Sequence, residues 1–324
     1  SKFNLKLTLA SFIKEQPLIN PEIEVLSDLE GISIDLPEPL VKSKDSKVDF
    51  RLTFGLSIDE PPLLVFQYGD LFRGKFKFHN NKTEGFIIAG KEKQSISIED
   101  EKILLIGALK KLDLGSFISL GIFEGEGSRN FYIKDLLVQE TNLSTLSLLE
   151  TRFNSLRTKE GIEYSFINDE LNGKLLVPAD NERNLFFKFD FIKINQSLGE
   201  SKGSFLSLYN GIKDEFDFSA DAVFLNGKNY GNWEFSILPG DSKLTFYDIK
   251  GVYGKWGIKN TNEGVSSLQI FKNSIGWISN LKTNIYSGSP EKAMTQIGIK
   301  PNFELDTLSL DTDLTWNNLP WLFD

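Results

Sequence analysis

The 324 residues carry 36 Lys and Arg against 45 Asp and Glu, a formal charge of −9, which leaves no basic footprint for nucleic acid or for docking on an anionic bilayer. Cysteine is absent, excluding disulfides and thiolate chemistry, and no apolar run approaches the roughly 20 residues of a membrane helix. Within an ordinary composition the aromatics are skewed, with 27 Phe against 8 Tyr and 5 Trp, which points to a core or an apolar ligand, because Phe has no polar handle.

The first strand pattern starts at Phe3 and continues through Leu5, Leu7 and Leu9. Residues 32–36 read as a short strand running into Leu36-Pro37-Glu38-Pro39-Leu40. Val48, Phe50, Leu52 and Phe54 then alternate with polar positions, and 72–78 places Phe72, Phe76 and Phe78 together. Successive strand residues point to opposite faces, so such segments have one greasy face and one wet face. Shorter segments follow at 86–89, 103–109, 131–138 and 146–153. Asn172-Gly173, a dipeptide suited to tight hairpins, lies just inside the second of two segments, 162–167 and 171–177. Leu185, Phe187, Phe189 and Phe191 alternate with Phe186, Lys188, Asp190 and Ile192. Phe216, Phe218, Ala220, Ala222 and Phe224 alternate with Asp217, Ser219, Asp221 and Val223.

Asn226-Gly227 gives the clearest hairpin, joining 216–225 to 230–238, and strands follow at 243–249, 252–259 and 265–271. A helix is predicted over 289–297, with Ser289 as cap, Pro290 in the first turn and Glu291 near the positive end. A second helical turn is predicted over 273–280. In 302–316, Phe303 and Leu305 alternate first, and Leu308, Leu310, Leu314 and Trp316 continue in the opposite phase. That flip predicts a bulge near Thr307. The dense Gly, Ser and Asn of 195–212 predict a mild boundary, dividing 1–200 from 201–324 in one continuous β-structure. The chain enters a strand pattern at once and stops within Pro320-Trp321-Leu322-Phe323-Asp324. The expectation is a piece cut from a longer protein, with targeting and anchoring signals outside it.

Residues with reactive side chains form no constellation. His79, the sole histidine, sits in the turn-like Phe78-His79-Asn80-Asn81-Lys82. No nucleophile elbow accompanies it. Asp311 and Asp313 share one strand face, opposite Leu308, Leu310 and Leu314, and read as solvated. Glu99-Asp100-Glu101 lacks the spacing of a calcium loop, Glu124 and Glu126 form a further acidic pair, and Gly125-Glu126-Gly127-Ser128 lacks the Lys-Ser/Thr of a phosphate loop. Sequons occur at Asn81, Asn142 and Asn195. No enzyme, metal or cofactor is expected. The aromatic stripes remain, and alternation alone does not separate a closed core from an open trough.

Three segments carry a resemblance. Gly31-Ile32-Ser33-Ile34-Asp35-Leu36-Pro37-Glu38-Pro39-Leu40-Val41-Lys42 resembles a signature of the YhdP family, in which a strand runs into a Leu-Pro-x-Pro-Leu-Gly-Lys turn; Val41 stands where Gly is usual. Asp221-Ala222-Val223-Phe224-Leu225-Asn226-Gly227 with Tyr230-Gly231-Asn232-Trp233 is similar to a hairpin of that family. Leu308 to Trp316 followed by Asn317-Asn318-Leu319-Pro320-Trp321-Leu322-Phe323 is similar to its Leu-Ser-Trp-x-Gly-x-Pro ending of a repeat unit, with Asn318 in place of Gly. The matches run in order from about 31 to 324. The family comprises large AsmA-like proteins of Gram-negative bacteria, so the resemblance implies a periplasmic β-structure anchored in the inner membrane by an amino-terminal helix outside this piece. It implies a trough along which phospholipid travels toward the outer membrane, supporting outer-membrane lipid homeostasis, with no catalytic residues.

The expected fold is therefore all-β: a long antiparallel, strongly curved sheet forming an open hydrophobic groove, with one or two short helices. Some twenty strands at about 4.8 Å each would give a length on the order of 90 Å. The side chains expected to face phospholipid acyl chains are Phe50, Leu52, Phe54, Phe76, Phe78, Phe187, Phe189, Phe216, Phe218, Phe224, Leu244, Phe246, Phe303 and Leu310. The expected partners are acyl chains and, through the rest of the full-length protein, the inner and outer membranes. The competing reading is a closed β-sandwich or solenoid that recognises sugar or protein through a Trp/Tyr patch around Tyr230, Trp233 and Trp256. A glycosidase is a distant third.

Overall fold

The computed structural model describes residues 2–9, 11–13, 16–56, 60–79, 82–91, 102–119, 130–143, 146–180, 183–194, 215–240, 243–274, 276–302 and 304–318. Tertiary contacts divide the chain into two units, Ser1–Leu156 and Arg157–Asp324. The stretch near 200 that was expected to hold a boundary lies outside the described residues.

The first unit contains β1 (Phe3–Thr8), β2 (Ser11–Ile13), β3 (Gln16–Ile19), β4 (Glu22–Ser27), β5 (Phe50–Gly55), β6 (Leu63–Tyr68), β7 (Phe72–His79), β8 (Lys82–Ala89), β9 (Ile103–Asp113), β10 (Phe131–Ile133), β11 (Leu136–Leu143) and β12 (Leu146–Arg157), with helix α1 (Leu114–Ser119). β2 and β3 pair with each other only, among the described residues. The main sheet runs β1, β4, β5, β6, β7, β8, β9, then β10 and β11 end to end along β9, then β12.

The second unit contains β13 (Gly161–Ile167), β14 (Leu171–Pro178), β15 (Leu185–Ile194), β16 (Phe216–Ala220), β17 (Val223–Leu225), β18 (Lys228–Asn229), β19 (Asn232–Gly240), β20 (Lys243–Tyr253), β21 (Trp256–Lys259), β22 (Ser267–Lys272), β23 (Trp277–Ser287) and β24 (Leu308–Asn317), with helix α2 (Pro290–Gln296). Again the sheet is built from strands close in sequence. β15 carries β16 and β17 along its length, and β20 carries β21 and β22.

The chain is all-β, but its sheets are mixed rather than antiparallel throughout. β8 with β9, β9 with β10 and β11, and β15 with β16 and β17 run parallel. The cause is connection length. A short turn can only reverse a strand, whereas a crossover of a dozen or more residues lets the next strand start from the same end. The connections 90–102, 114–130 and 195–215 have that length.

Two other expectations change. Residues 273–280 are not a helical turn but lead into the long strand β23. The phase flip before Leu308 is not a bulge, since β24 begins at Leu308 and the preceding 304–307 is not strand. The helix expected over 289–297 forms as α2, with Pro290 and Ala293 buried, but the Ser289 side chain makes no capping hydrogen bond. The additional helix α1 is capped by Asp113, whose carboxylate accepts hydrogen bonds from the Ser116 backbone N–H (3.0 Å) and hydroxyl (2.7 Å).

Between β4 and β5 the chain makes a two-limbed finger rather than a strand at 32–36. Gly31 N donates to Lys44 O (2.8 Å), and Ile34 and Lys42 exchange hydrogen bonds of 2.9 and 3.0 Å as an isolated bridge. Pro37 and Pro39 lack the N–H groups that would extend a ladder. At the tip, Leu40 N donates to Pro37 O (2.8 Å). The Asp113 N–H at the end of β9 donates to Glu38 O (2.9 Å), so the finger passes the ends of β5, β6, β7 and β8. Lys42 is 4% exposed, and its Nζ donates to the carbonyls of Ile32 (2.9 Å), Ser43 (3.0 Å) and Ser46 (2.7 Å). All three ammonium protons are thus used inside the finger.

Candidate functional site

In the second unit the paired residues place one face of the sheet under a continuous run of phenyl rings. Phe166 on β13, Gly173 on β14 and Phe189 on β15 are successive cross-strand partners. Gly173 has no side chain, so the Phe166 and Phe189 rings meet over it, with centroids 5.9 Å apart. A Cβ at Gly173 would lie 2.4 Å from the Phe189 ring. From Phe189 the contacts pass to Phe218 (5.5 Å) and Phe187 (6.4 Å), from Phe187 to Phe216 (5.3 Å), from Phe218 to Phe235 (4.6 Å, stacked), and from Phe235 to Phe246 (5.5 Å). Apart from Phe187 with Phe189, which follow one another along β15, these contacts run between strands within one face. Phe189 is 5% exposed, while Phe187, Phe216, Phe218, Phe235 and Phe246 stay partly exposed. Beyond the rings lies a small core of Ile237, Leu244 and Ile270, against which Trp277 packs.

The opposite face is charged. Lys174 pairs with Glu163 (3.0 Å) and Lys282 with Asp313 (3.2 Å). Asn280 and Lys282 together hold the Asp313 carboxyl below its ordinary pKa. These exposed pairs contribute little to stability; they keep this side in water.

The first unit repeats the division. Phe50, Leu52 and Phe54 on β5 pair with Tyr68, Phe66 and Leu64 on β6, which pair with Phe72, Gly74 and Phe76 on β7. Phe66 and Phe76 stack at 5.8 Å, and Phe54 meets Phe78 edge-on at 6.3 Å. Arg51 lies on the reverse face with Glu24 (2.7 Å). Against the Phe50 end of this apolar face lies the finger. Ile34, Leu36 and Leu40 form one side of an open apolar pocket of about 260 Å³ whose other side is Phe50, Phe66, Tyr68 and Phe72. Burial raises the Tyr68 phenol above its ordinary pKa.

Of the side chains singled out in the sequence, Phe50, Leu52, Phe54, Phe76 and Phe78 share the apolar face of the first unit. Phe187, Phe189, Phe216, Phe218, Leu244, Phe246 and Leu310 share that of the second. Phe303 lies outside the described residues. Phe224 does not belong with them: it pairs with Lys193 on the charged face. The cause is a kink shared by two strands. β14 and β15 shift register beside Asn172 and Gly173, leaving Asp190 without an opposite residue on β14 although its carboxylate accepts from Asn172 Nδ2 (2.8 Å), and β16 breaks from β17 at Asp221 and Ala222. One extra residue on each swaps the faces beyond it. Ile192 therefore turns to the apolar side at 9% exposed, and Phe191 turns outward, with the Lys193 ammonium 5.2 Å from its ring centre.

Sequence reasoning missed β6, with Leu64, Phe66 and Tyr68, and the apolar underside of the finger. The run Leu63-Leu64-Val65-Phe66 is apolar at every position and hides its alternation. Phe166 and Phe235 were also missed; each sits at alternate positions of a short strand.

Groups considered for chemistry have ordinary partners. His79 Nε2 lies 3.4 Å from Glu84. Asp311 accepts from Asn284 (2.6 Å) and Asn262 (3.0 Å). Glu99, Asp100, Glu101, Glu124, Gly125 and Glu126 lie outside the described residues, as do Asn81 and Asn195, while Asn142 lies in β11. Trp233 and Trp256 donate their indole N–H groups to the chain's own Tyr230 O and Ala293 O, each at 2.8 Å. Tyr230 stacks on Tyr253 at 5.1 Å, and a hydrogen bond from Lys228 lowers the Tyr253 pKa.

A sheet with one aromatic, laterally packed face and one charged face, built from strands that follow one another in sequence, defines a β-groove class of protein. The chain belongs to the YhdP protein family, whose model matches residues 2–324. That family is AsmA-like, non-enzymatic, periplasmic and membrane-anchored. No helix among the described residues is long and apolar enough to cross a membrane. Neither a curated protein nor a solved structure matches the chain.

Proposed function

We propose that this chain is a segment of a lipid conduit, in which the acyl chains of phospholipids move over the apolar faces of both units on the way to the outer membrane. The segment would work as part of a longer periplasmic protein held at the inner membrane by a helix outside residues 1–324. Its contribution would be to outer-membrane lipid homeostasis.

The observation that carries this reading is the partly exposed phenyl run from Phe187 to Phe246. Those rings touch each other side by side and keep free area, so an alkyl chain laid on them buries both surfaces. Each buried methylene contributes about 0.8 kcal/mol. The contacts are non-directional and alike along the run, which lets a tail slide without meeting a hydrogen-bonding trap.

A photoreactive residue replacing Phe218 or Phe54 in the full-length protein in cells should form phospholipid adducts. The same residue at Asp217 or Lys75, on the reverse faces, should not. Adducts at Asp217 and Lys75 with none at Phe218 and Phe54 would overturn the proposal.

A further inference from the structure

The finger between β4 and β5 is not needed to complete the sheet. β4 and β5 are antiparallel neighbours, which a two-residue turn would join, yet residues 28–49 separate them. Connections of such length inside a packed unit usually have a task of their own.

Its construction indicates the task. The underside is apolar, with Ile34, Leu36 and Leu40 set against Phe50, Tyr68 and Phe72. The position is fixed twice, by the buried Lys42 ammonium within the finger and by the Glu38 carbonyl on Asp113 at its tip. With its three protons already donated, Lys42 has none left for a phosphate, so the finger holds no head-group site at that residue. The space beneath, about 260 Å³, falls under the roughly 300–1,000 Å³ of sites that enclose a drug-sized molecule. It suits one alkyl chain and not a two-tailed lipid. Among the described residues the other end of the same face, at Phe54 and Phe78, is left open, and Phe78 is 37% exposed.

We infer that the finger is a clasp: with the floor of the first unit it makes a slot for a single acyl chain, while the second tail of the same phospholipid lies on the open end of the face. A roof of this kind stops a tail from lifting away sideways and leaves motion along the finger unhindered. The inference rests on the lipid-conducting reading.

The test uses the full-length protein with a compact diazirine residue at Tyr68 (slot), at Phe78 (open end) or at Phe218 (second unit). Each is combined with the native finger or with Leu40→Trp, which fills the slot. With the native finger, all three positions should yield phospholipid adducts, and at Tyr68 the adduct should sit on one acyl chain. Leu40→Trp should lower the Tyr68 yield about tenfold or more, since each methylene excluded weakens binding roughly fourfold. Yields at Phe78 and Phe218 should not change. Leu36→Trp fills the slot from the other limb and should reproduce the loss, with thermal melting to show that both variants fold. Capture at Phe218 with none at Tyr68, or Tyr68 capture indifferent to both tryptophans, overturns the clasp and leaves the conduit standing. Absence of capture at all three positions overturns the conduit itself.

Discussion

Gly173 shows how much one position decides. Its missing side chain is what brings Phe166 and Phe189 together across an intervening strand. Gly173→Val should destabilise the protein by about 1–3 kcal/mol, as overpacking does, measurable by urea unfolding. Gly173 also misled sequence reading. Asn172-Gly173 looked like a turn, but the turn lies at 168–170 and the glycine serves the strand interior. Tyr164 makes a second residue-scale case. Burial raises its pKa, and it is 9% exposed. Its folded-state pKa lies above the unfolded value of about 10, so its contribution is intact below pH 10 and is lost as pH rises through the folded value. Unfolding free energy should fall above about pH 10, and Tyr164→Phe should flatten that fall. Phe218→Asp puts a carboxylate between Phe189 and Phe235. It should abolish lipid capture on the second unit, because a charge there has no partner.

Elements were legible where period two ran unbroken. Phe50 to Phe54, Phe187 to Phe189 and Phe216 to Phe218 declared both strand and face. The signal failed where structure depended on a partner strand. The paired kink beside Asp190 and Asp221 keeps β15 and β17 in step, and neither strand alone reveals that Phe191 and Phe224 point outward. β23 was mistaken at its start because Asn273 and Gly276 give turn-like letters, whereas Asn273 N in fact bonds Gly276 O and closes a hairpin. The finger was legible as a motif and not as a structure, since its position depends on Asp113, far along the chain. Lys42→Met would leave three carbonyls of the finger without their donor, at a cost of about 3 kcal/mol. Limited proteolysis should then cut within 36–46 before the sheet unfolds.

At the scale of the whole chain, the acidic balance and the apolar faces act separately. A charge of −9 offers no attraction to anionic membrane, and the proposed contacts with lipid are with tails. Phospholipid retained by the purified full-length protein, read by native mass spectrometry, should therefore not decline between low and high salt, where ionic contacts would be screened. The fold class was visible in composition and alternation, but the parallel pairs were not, because they follow from the length of connections whose letters say nothing of where the next strand docks.

The bond between Glu38 and Asp113 has a mechanical meaning. β4 and β9 are five strand steps apart, about 24 Å across a flat sheet, and the finger spans from the β4 corner to the β9 end. It works like a strap laid across the strand ends between them: the Glu38–Asp113 bond is its buckle, and undoing that bond would free the tip without unpairing a single strand.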